Sequence, residues 1–145
     1  MGKSNIIIVD DAKGILSSFQ RELRKEPYNV FYAKSGEEAL EILSENPCKL
    51  IISDVKMPRM DGFELLAKVQ ELYPDVIRVI LSGHSDVKLI LKLVNQGGIY
   101  RYLTKPCAIE DLKTTIIQCI ELFDLRKEVV ELRKRLGIES DKVGN

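Results

Sequence analysis

Five short apolar runs alternate with amphipathic segments, and this alternation limits the possible folds more than any other feature of the chain. The runs are rich in β-branched and aromatic residues, which favours strands. They cover residues 6–9, 30–33, 50–53, 76–81 and 100–103. The segments between them have apolar residues at helical spacing, as at Leu16, Phe19 and Leu23. Because apolar strands need crossover helices on both faces, we predict a doubly wound α/β fold with a five-stranded parallel sheet.

Apolar faces and capping residues support the remaining helices. Ser35 with Glu38 three residues later predicts a helix start, and Gly97 with Gly98 predicts the end of the fourth helix. The apolar faces of helices two to five are predicted to comprise Ala39, Leu40 and Leu43; Phe63, Leu66, Ala67 and Val69; Leu89, Ile90, Leu93 and Val94; and Leu112, Ile116, Cys119 and Phe123.

Composition and charge exclude several classes of function. The 145 residues suit one domain, and Lys plus Arg balance Asp plus Glu at 22 each. The chain therefore has no net positive charge with which to attract nucleic acid or an anionic membrane. No apolar run approaches the roughly 20 residues of a membrane span, so we predict a cytoplasmic protein. Three cysteines without CxxC spacing and one histidine indicate neither a disulfide framework nor a zinc site.

Polar residues follow four of the five predicted strands. Asp10 and Asp11 follow the first, Asp54 the third, Ser82 the fourth and Lys105 the fifth. In a doubly wound sheet, ligands bind beyond the carboxyl ends of the strands. We therefore predict that these five side chains form one site.

The residue types at this edge indicate phosphoryl chemistry. Three carboxylates would repel one another unless a cation neutralised them, and hard oxygen ligands favour Mg²⁺. A lysine and a hydroxyl opposite the metal fit the oxygens of a phosphoryl group. Asp54 is then interpreted as a nucleophile that attacks phosphorus and carries the group as an acyl phosphate.

Four motifs make residues 4–123 resemble the receiver domains of two-component response regulators. They are "VDDA" at 9–12, "DVKMPRMDG" at 54–62, "LSG" at 81–83 and "YLTKP" at 102–106. The resemblance implies a flavodoxin-like receiver fold and an Asp54 phosphoacceptor. It implies a Mg²⁺ site in which Asp11 is a direct ligand, Asp10 acts largely through water, and Asp54 and the main-chain carbonyl of Lys56 complete the protein ligands.

The resemblance also assigns the residues around the phosphoryl group. Lys105 would bind one phosphoryl oxygen, Ser82 would move to hydrogen-bond another, and the rotamer of Tyr102 would follow Ser82. Lys56 and His84 lie at positions that tune phosphoryl hydrolysis in the family. A cis peptide bond is expected between Lys105 and Pro106.

These assignments predict a signalling switch, with three rival classes. The domain would accept a phosphoryl group from a histidine kinase or phosphotransfer protein and control a partner or a missing output domain. It would catalyse its own phosphorylation and dephosphorylation without being a turnover enzyme. A haloacid dehalogenase phosphatase needs an acid where Lys56 stands, and a flavin carrier needs a Ser/Thr/Gly-rich loop in place of "VDDA". The alternative is a phosphorylation-independent module, a pseudo-receiver, which would normally have lost an acidic residue or the lysine.

The fifth helix is predicted to extend past the receiver. Apolar residues recur there at spacings of 3, 4, 3 and 4, and Gly137 ends the pattern. We name them the apolar stripe: Leu122, Leu125, Val129, Leu132 and Leu136. We predict a helical extension over 124–137 that forms a homodimer or serves as a coiled-coil signalling linker, with a solvated charged helix as the alternative, and a disordered tail over 138–145. Whether the chain is complete or part of a longer regulator stays open.

Overall fold

The computed structural model describes residues 2–83 and 87–138, and it confirms the alternation of strands and helices. The strands are β1 (Asn5–Val9), β2 (Asn29–Ala33), β3 (Leu50–Asp54), β4 (Ile77–Ser82) and β5 (Arg101–Thr104). The helices are α1 (Lys13–Leu23), α2 (Gly36–Glu45), α3 (Gly62–Leu72), α4 (Val87–Asn95) and α5 (Ile109–Arg135). Each predicted strand is present, with ends shifted by one residue.

All strand pairs are parallel, and the spatial order is β2-β1-β3-β4-β5. The direction of winding therefore reverses between β1 and β3. That reversal places a crevice beyond the carboxyl ends of these two strands, where doubly wound proteins bind ligands.

Two apolar clusters fill the two faces of the sheet. Ile7 and Ile51 point into the cluster covered by α2, α3 and α4, whereas Ile6 and Ile52 point into the cluster covered by α1 and α5. Alternate residues of one strand serve opposite faces, so both faces require apolar residues. This requirement explains the continuous apolar runs in the sequence.

The helix caps agree with the prediction. The Ser35 hydroxyl accepts a hydrogen bond from the Glu38 N–H at 3.1 Å, and the Glu38 carboxylate accepts one from the Lys34 N–H at 2.7 Å. Gly97 ends α4 with φ +80, a left-handed conformation that favours glycine.

The predicted faces of α3 and α4 were wrong at two positions. Ala67 is exposed, and its place in the core is taken by Leu65, which is fully buried. Gly62, Leu65, Leu66 and Val69 lie at i, i+3, i+4 and i+7, so they form the arc that faces the sheet. Leu89 of α4 is 44% exposed, whereas its neighbour Ile90 is completely buried.

The long C-terminal helix is present as predicted. α5 has 27 residues, which gives it a length of about 40 Å. Its first half lies against the sheet through Leu112, Ile116 and Cys119. None of the helices in the described ranges combines the length and the apolar content of a membrane span. Of the predicted tail, only residue 138 falls within the described ranges.

Candidate functional site

The sheet brings the three predicted acids together. Asp10 directly follows β1, and Asp54 is the last residue of β3, the strand paired with β1. One carboxylate oxygen from each of Asp10, Asp11 and Asp54 lies within 4.8 Å of the others. The convergence predicted from the strand ends is therefore confirmed for these three side chains.

The two neighbouring aspartates have different environments. Asp10 is buried; its Oδ1 accepts a hydrogen bond from the Ala12 N–H at 2.9 Å, and its Oδ2 accepts one from Lys105 Nζ at 2.8 Å. Asp11 is exposed. Both carboxylate oxygens of Asp10 thus accept hydrogen bonds within the protein, whereas Asp11 is accessible to solvent.

Lys105 connects two of the acids. Its Nζ lies 3.1 Å from Asp54 Oδ2 in addition to its bond to Asp10. The Lys105 N–H donates to the Ser82 carbonyl at 2.8 Å, which fixes the start of the loop after β5. The peptide bond between Lys105 and Pro106 is cis, as expected. Burial opposes the charged ammonium, but the hydrogen bonds and charges of Asp10 and Asp54 outweigh burial and raise the Lys105 pKa.

Asp54 is a weaker acid than an ordinary aspartate. Burial and the nearby Asp10 raise its pKa, while Lys105 and a 2.8 Å hydrogen bond from the Val55 N–H to Oδ1 act in the opposite direction. The side chain is 12% exposed, so it is buried but still partly accessible to solvent. The sequence did not indicate the Val55 amide as a partner of Asp54.

A glycine allows the loop after β3 to return close to Asp54. The Gly62 N–H donates to the Val55 carbonyl at 2.8 Å, and a Cβ at Gly62 would overlap the Asp54 main-chain carbonyl. The next helix begins here with a capping box in which Asp61 and Glu64 each accept the other's backbone N–H. Gly62 therefore supports the site indirectly, because its lack of a Cβ lets the loop pack against the backbone that carries the Asp54 carboxylate.

The predicted switch residues lie on β4 and β5. Ser82 is buried at the end of β4, and Tyr102 is half-buried on β5 opposite Ile80. Tyr102 packs against the cluster shared with α2, α3 and α4. Lys56 is exposed in the loop after β3, and its carbonyl as a metal ligand stays a prediction. His84 lies outside the described residues.

The charges of the site fit a hard divalent cation. Three carboxylates face one ammonium, which leaves an excess of two negative charges when all are ionised. Carboxylate oxygens are the donors that Mg²⁺ prefers, and the exposed Asp11 opens the cluster to water, which Mg²⁺ retains in its coordination shell. The donor set is therefore compatible with Mg²⁺.

Comparison with known proteins agrees with this geometry. A family model described as the response regulator receiver domain matches residues 6–117. The chain belongs to the response regulator receiver family. This receiver domain is 32% identical over 130 residues to the hydrogenase transcriptional regulatory protein HoxA of Cupriavidus necator, which covers 90% of the chain and 27% of that protein. The receiver domain thus spans about a quarter of the curated relatives that it matches.

Solved structures give the same result. The receiver domain superposes on the structure titled adenylate cyclase from Rhodopirellula baltica with a TM-score of 0.86 and 33% identity, covering 92% of this chain and 98% of that one. A response regulator receiver domain protein from Clostridium thermocellum gives a TM-score of 0.78 and 31% identity over 84% of this chain and 98% of the other. The predicted receiver fold is confirmed.

Proposed function

We propose that Asp54 accepts a phosphoryl group from a phosphohistidine of a histidine kinase or phosphotransfer protein. The chain is a receiver domain of two-component response regulators and not a classical enzyme. The observation that carries the proposal is the position of Asp54 at the end of β3, with one carboxylate oxygen held by the Val55 N–H and the other 3.1 Å from Lys105. The carboxylate is oriented by the backbone, and its side chain stays partly accessible to solvent.

The transfer forms one bond and breaks one. A carboxylate oxygen of Asp54 attacks the phosphorus, the phosphorus–nitrogen bond of the phosphohistidine breaks, and the imidazole leaves with the electron pair and takes up a proton. The Lys105 ammonium stabilises negative charge on the phosphoryl oxygens, because it is already within ion-pair distance of the attacking carboxylate. Hydrolysis of the acyl phosphate at the same site would return the domain to its starting state.

Asp10, Asp11, Asp54 and the carbonyl of Lys56 are the residues that would hold Mg²⁺. The ion supplies charge neutralisation between the acids and the phosphoryl oxygens when bound. In the unphosphorylated domain, Lys105 compensates part of the charge of Asp10 and Asp54. When a phosphoryl group adds further negative charge, the contacts of the Lys105 ammonium are therefore expected to change.

We propose that Ser82 and Tyr102 convert phosphorylation of Asp54 into a change of the receiver surface. The Ser82 hydroxyl would hydrogen-bond the phosphoryl group, and Tyr102 would change rotamer as the β4 end moves. Tyr102 packs against the side of the core that contains α4, so its movement would alter the surface around α4 and β5. Lys56 and His84 are proposed to tune the rate of hydrolysis.

The receiver is proposed to comprise residues 4–123, with the extension connecting it to an output partner. The outer part of the apolar stripe is exposed, at 58% for Leu125, 46% for Leu132 and 71% for Leu136. Heptad-like spacing of these leucines suits a second copy of the same helix. We therefore propose a modest homodimer along the stripe, modulated by phosphorylation.

Phosphorylation with a small donor tests the proposed function. Incubation with acetyl phosphate and Mg²⁺ should add one phosphoryl group to the parent and none to Asp54→Asn. Asp61→Asn is a matched control, since it neutralises a neighbouring carboxylate while asparagine still caps α3. Failure of the parent to label under conditions that label another receiver would favour the phosphorylation-independent module.

A further inference from the structure

The ammonium groups of two lysines lie over the ring of Phe123, each paired with a carboxylate, at the end of the sheet opposite Asp54. Lys49 Nζ lies 5.7 Å from the ring centroid and 2.6 Å from Asp124, and Lys127 Nζ lies 5.5 Å from the centroid and 2.6 Å from Asp75. We call these five residues the base clamp. Lys49 precedes β3 and Asp75 precedes β4, so the clamp binds α5 to the loops at the amino ends of two central strands.

The clamp continues the contact between α5 and the receiver beyond residue 123. Asp124 and Lys127 both belong to the extension, and Val130 lines the same cavity as Lys127. Each ion pair is exposed and by itself shifts an equilibrium by about fivefold at most. Phe123 packs on the core below them, so apolar burial and two cation–π contacts act together with the ion pairs. The first part of the extension, residues 124–130, is therefore fixed by several weak contacts rather than by one strong one.

Arg78 connects the clamp region to the end of α4. Its guanidinium donates to the Gly98 carbonyl at 2.9 Å and the Gly97 carbonyl at 3.4 Å in the loop after α4. It also donates to the Pro74 and Val76 carbonyls at 3.3 and 3.0 Å, on either side of Asp75. The Arg78 side chain thus joins the α4–β5 loop to the loop before β4, which carries Asp75, the ion-pair partner of Lys127.

The extension also lies close enough to Arg78 to affect it electrostatically. Burial and the positive charge of Arg126 both lower the Arg78 pKa. A cavity of about 750 Å³ lies between Arg78, the end of α4 and the extension, with Tyr100 and Val130 among its lining residues. This groove leaves room for the loop and the helix to shift relative to each other.

The clamp residues Phe123 and Lys127 and the three outer leucines of the apolar stripe occupy different faces of α5. At about 100° per residue, Lys127 and Val130 lie within roughly 40° of Phe123, whereas Leu125, Leu132 and Leu136 lie about 140° to 180° away. A partner on the outer stripe and the receiver on the clamp can thus contact the helix simultaneously.

We propose that the base clamp holds residues 124–130 against the receiver and that Arg78 transmits displacement of the α4–β5 loop to this segment. The holding role depends only on the contacts described. The transmission rests on the proposed function, because phosphorylation of Asp54 is the event expected to displace α4 and β5. The clamp would then be the point at which the state of the receiver sets the direction of the outgoing helix.

Hydrogen–deuterium exchange of the full chain tests the holding role. Asp75→Asn and Lys127→Gln should each speed exchange of the amides in 124–130 by up to about fivefold. The exchanged pair Asp75→Lys with Lys127→Asp should restore the parent rate. Lys134→Gln removes the same charge from the exposed extension outside the clamp and should leave 124–130 unchanged. Single variants indistinguishable from Lys134→Gln, with Phe123→Ala also without effect, would overturn the clamp.

The transmission is tested with beryllofluoride and Mg²⁺ as a phosphoryl mimic. In the parent, exchange should change both in 87–100 and in 124–130, and Arg78→Lys should keep the first change and lose the second. Lysine retains the charge but not the fork that binds four carbonyls. Parent-like protection of β3 would verify that Arg78→Lys is folded. An equal response of 124–130 in both chains would overturn the transmission alone, whereas no response anywhere, including around Asp54, would overturn the proposed function and the transmission with it.

Discussion

Lys105 Nζ lies 3.1 Å from Asp54 Oδ2, although Asp54 ends β3 and Lys105 follows β5, two strands that are separated by β4. The lysine therefore reaches across one strand, a lateral distance of roughly 9 to 10 Å between β3 and β5. Its ammonium also binds Asp10 at 2.8 Å. One cation thus holds the ends of β1, β3 and β5 in a single charged cluster.

Asp54→Asn should stabilise the domain at neutral pH. The folded-state pKa of Asp54 is raised above its unfolded value, so its stabilising contribution is complete below the unfolded value of about 3.8 and is lost as pH rises through the folded pKa. Ionised Asp54 therefore destabilises the fold at pH 7, and asparagine removes that cost. We expect Tm to rise by about 2 to 4 °C for each kcal/mol gained, measured by calorimetry.

The Asp54→Asn effect should shrink on acidification. Well below pH 3.8 the parent carboxyl is neutral in both the folded and the unfolded state, so the difference in Tm between the parent and Asp54→Asn should approach zero. A difference that grew toward low pH would show that Asp54 is stabilised in its ionised form.

Asp11→Ala and Lys105→Ala should have opposite consequences. Loss of the exposed carboxylate should weaken Mg²⁺ binding tenfold or more, about 1.4 kcal/mol, with little loss of stability. Loss of Lys105 should keep or raise Mg²⁺ affinity, because the lysine is a cation that pairs with two of the ligand carboxylates, and it should leave Asp10 buried without its cation, which costs about 3 to 5 kcal/mol of folding free energy. Isothermal titration is the suitable measurement because the chain has no tryptophan. Parent-like Mg²⁺ affinity and stability in both variants would contradict the assignment.

Gly62→Ala should destabilise the domain by about 3 kcal/mol or more. The added methyl group would overlap the Asp54 main-chain carbonyl, and the backbone there cannot move without shifting the nucleophile. Gly14→Ala is the matched control, since a Cβ at Gly14 meets open space within α1 and alanine is a better helix former. Denaturant unfolding should show the control at parent stability or up to about 1 kcal/mol above it. Equal stability of Gly62→Ala and the parent would mean that the loop is not fixed as described.

Self-association should depend on the apolar stripe. Each buried leucine contributes about 1.5 to 3 kcal/mol, so dimerisation requires several to be buried together. Sedimentation should detect a dimer of the full chain at tens of micromolar that is lost in Val129→Glu and in Leu132→Glu. Lys134→Glu introduces the same side chain outside the stripe and should retain the dimer. A monomer in every state, with and without beryllofluoride, would mean that the stripe serves a downstream domain.

The convergence of the site could be predicted because parallel topology fixes it. Carboxyl ends of parallel strands share one edge, so Asp10, Asp54 and Lys105 were expected at the same edge once the strands were recognised. Which of these residues pairs with which could not be predicted as directly. The family resemblance assigned Asp10 to the metal through water, and that role stays a prediction; the sequence did not indicate that Lys105 Nζ lies closer to Asp10 (2.8 Å) than to Asp54 (3.1 Å).

Other features depend on contacts that spacing cannot show. In "FELLAKV" five of seven residues are apolar, so helical periodicity alone did not distinguish buried Leu65 from exposed Ala67. The base clamp joins Lys49 to Asp124 across 75 positions, and no local pattern marks such a pair. The close approach of Gly62 to Asp54 likewise appears only when the loop after β3 is folded.

The position of the acyl phosphate tests the central claim most directly. After incubation with acetyl phosphate and Mg²⁺, reduction with borohydride converts an aspartyl phosphate to homoserine, which peptide sequencing by mass spectrometry locates. We predict homoserine at position 54 alone, and none at position 54 when Mg²⁺ is removed by chelation. Homoserine at Asp10, Asp11 or Asp61 in place of Asp54 would contradict the account.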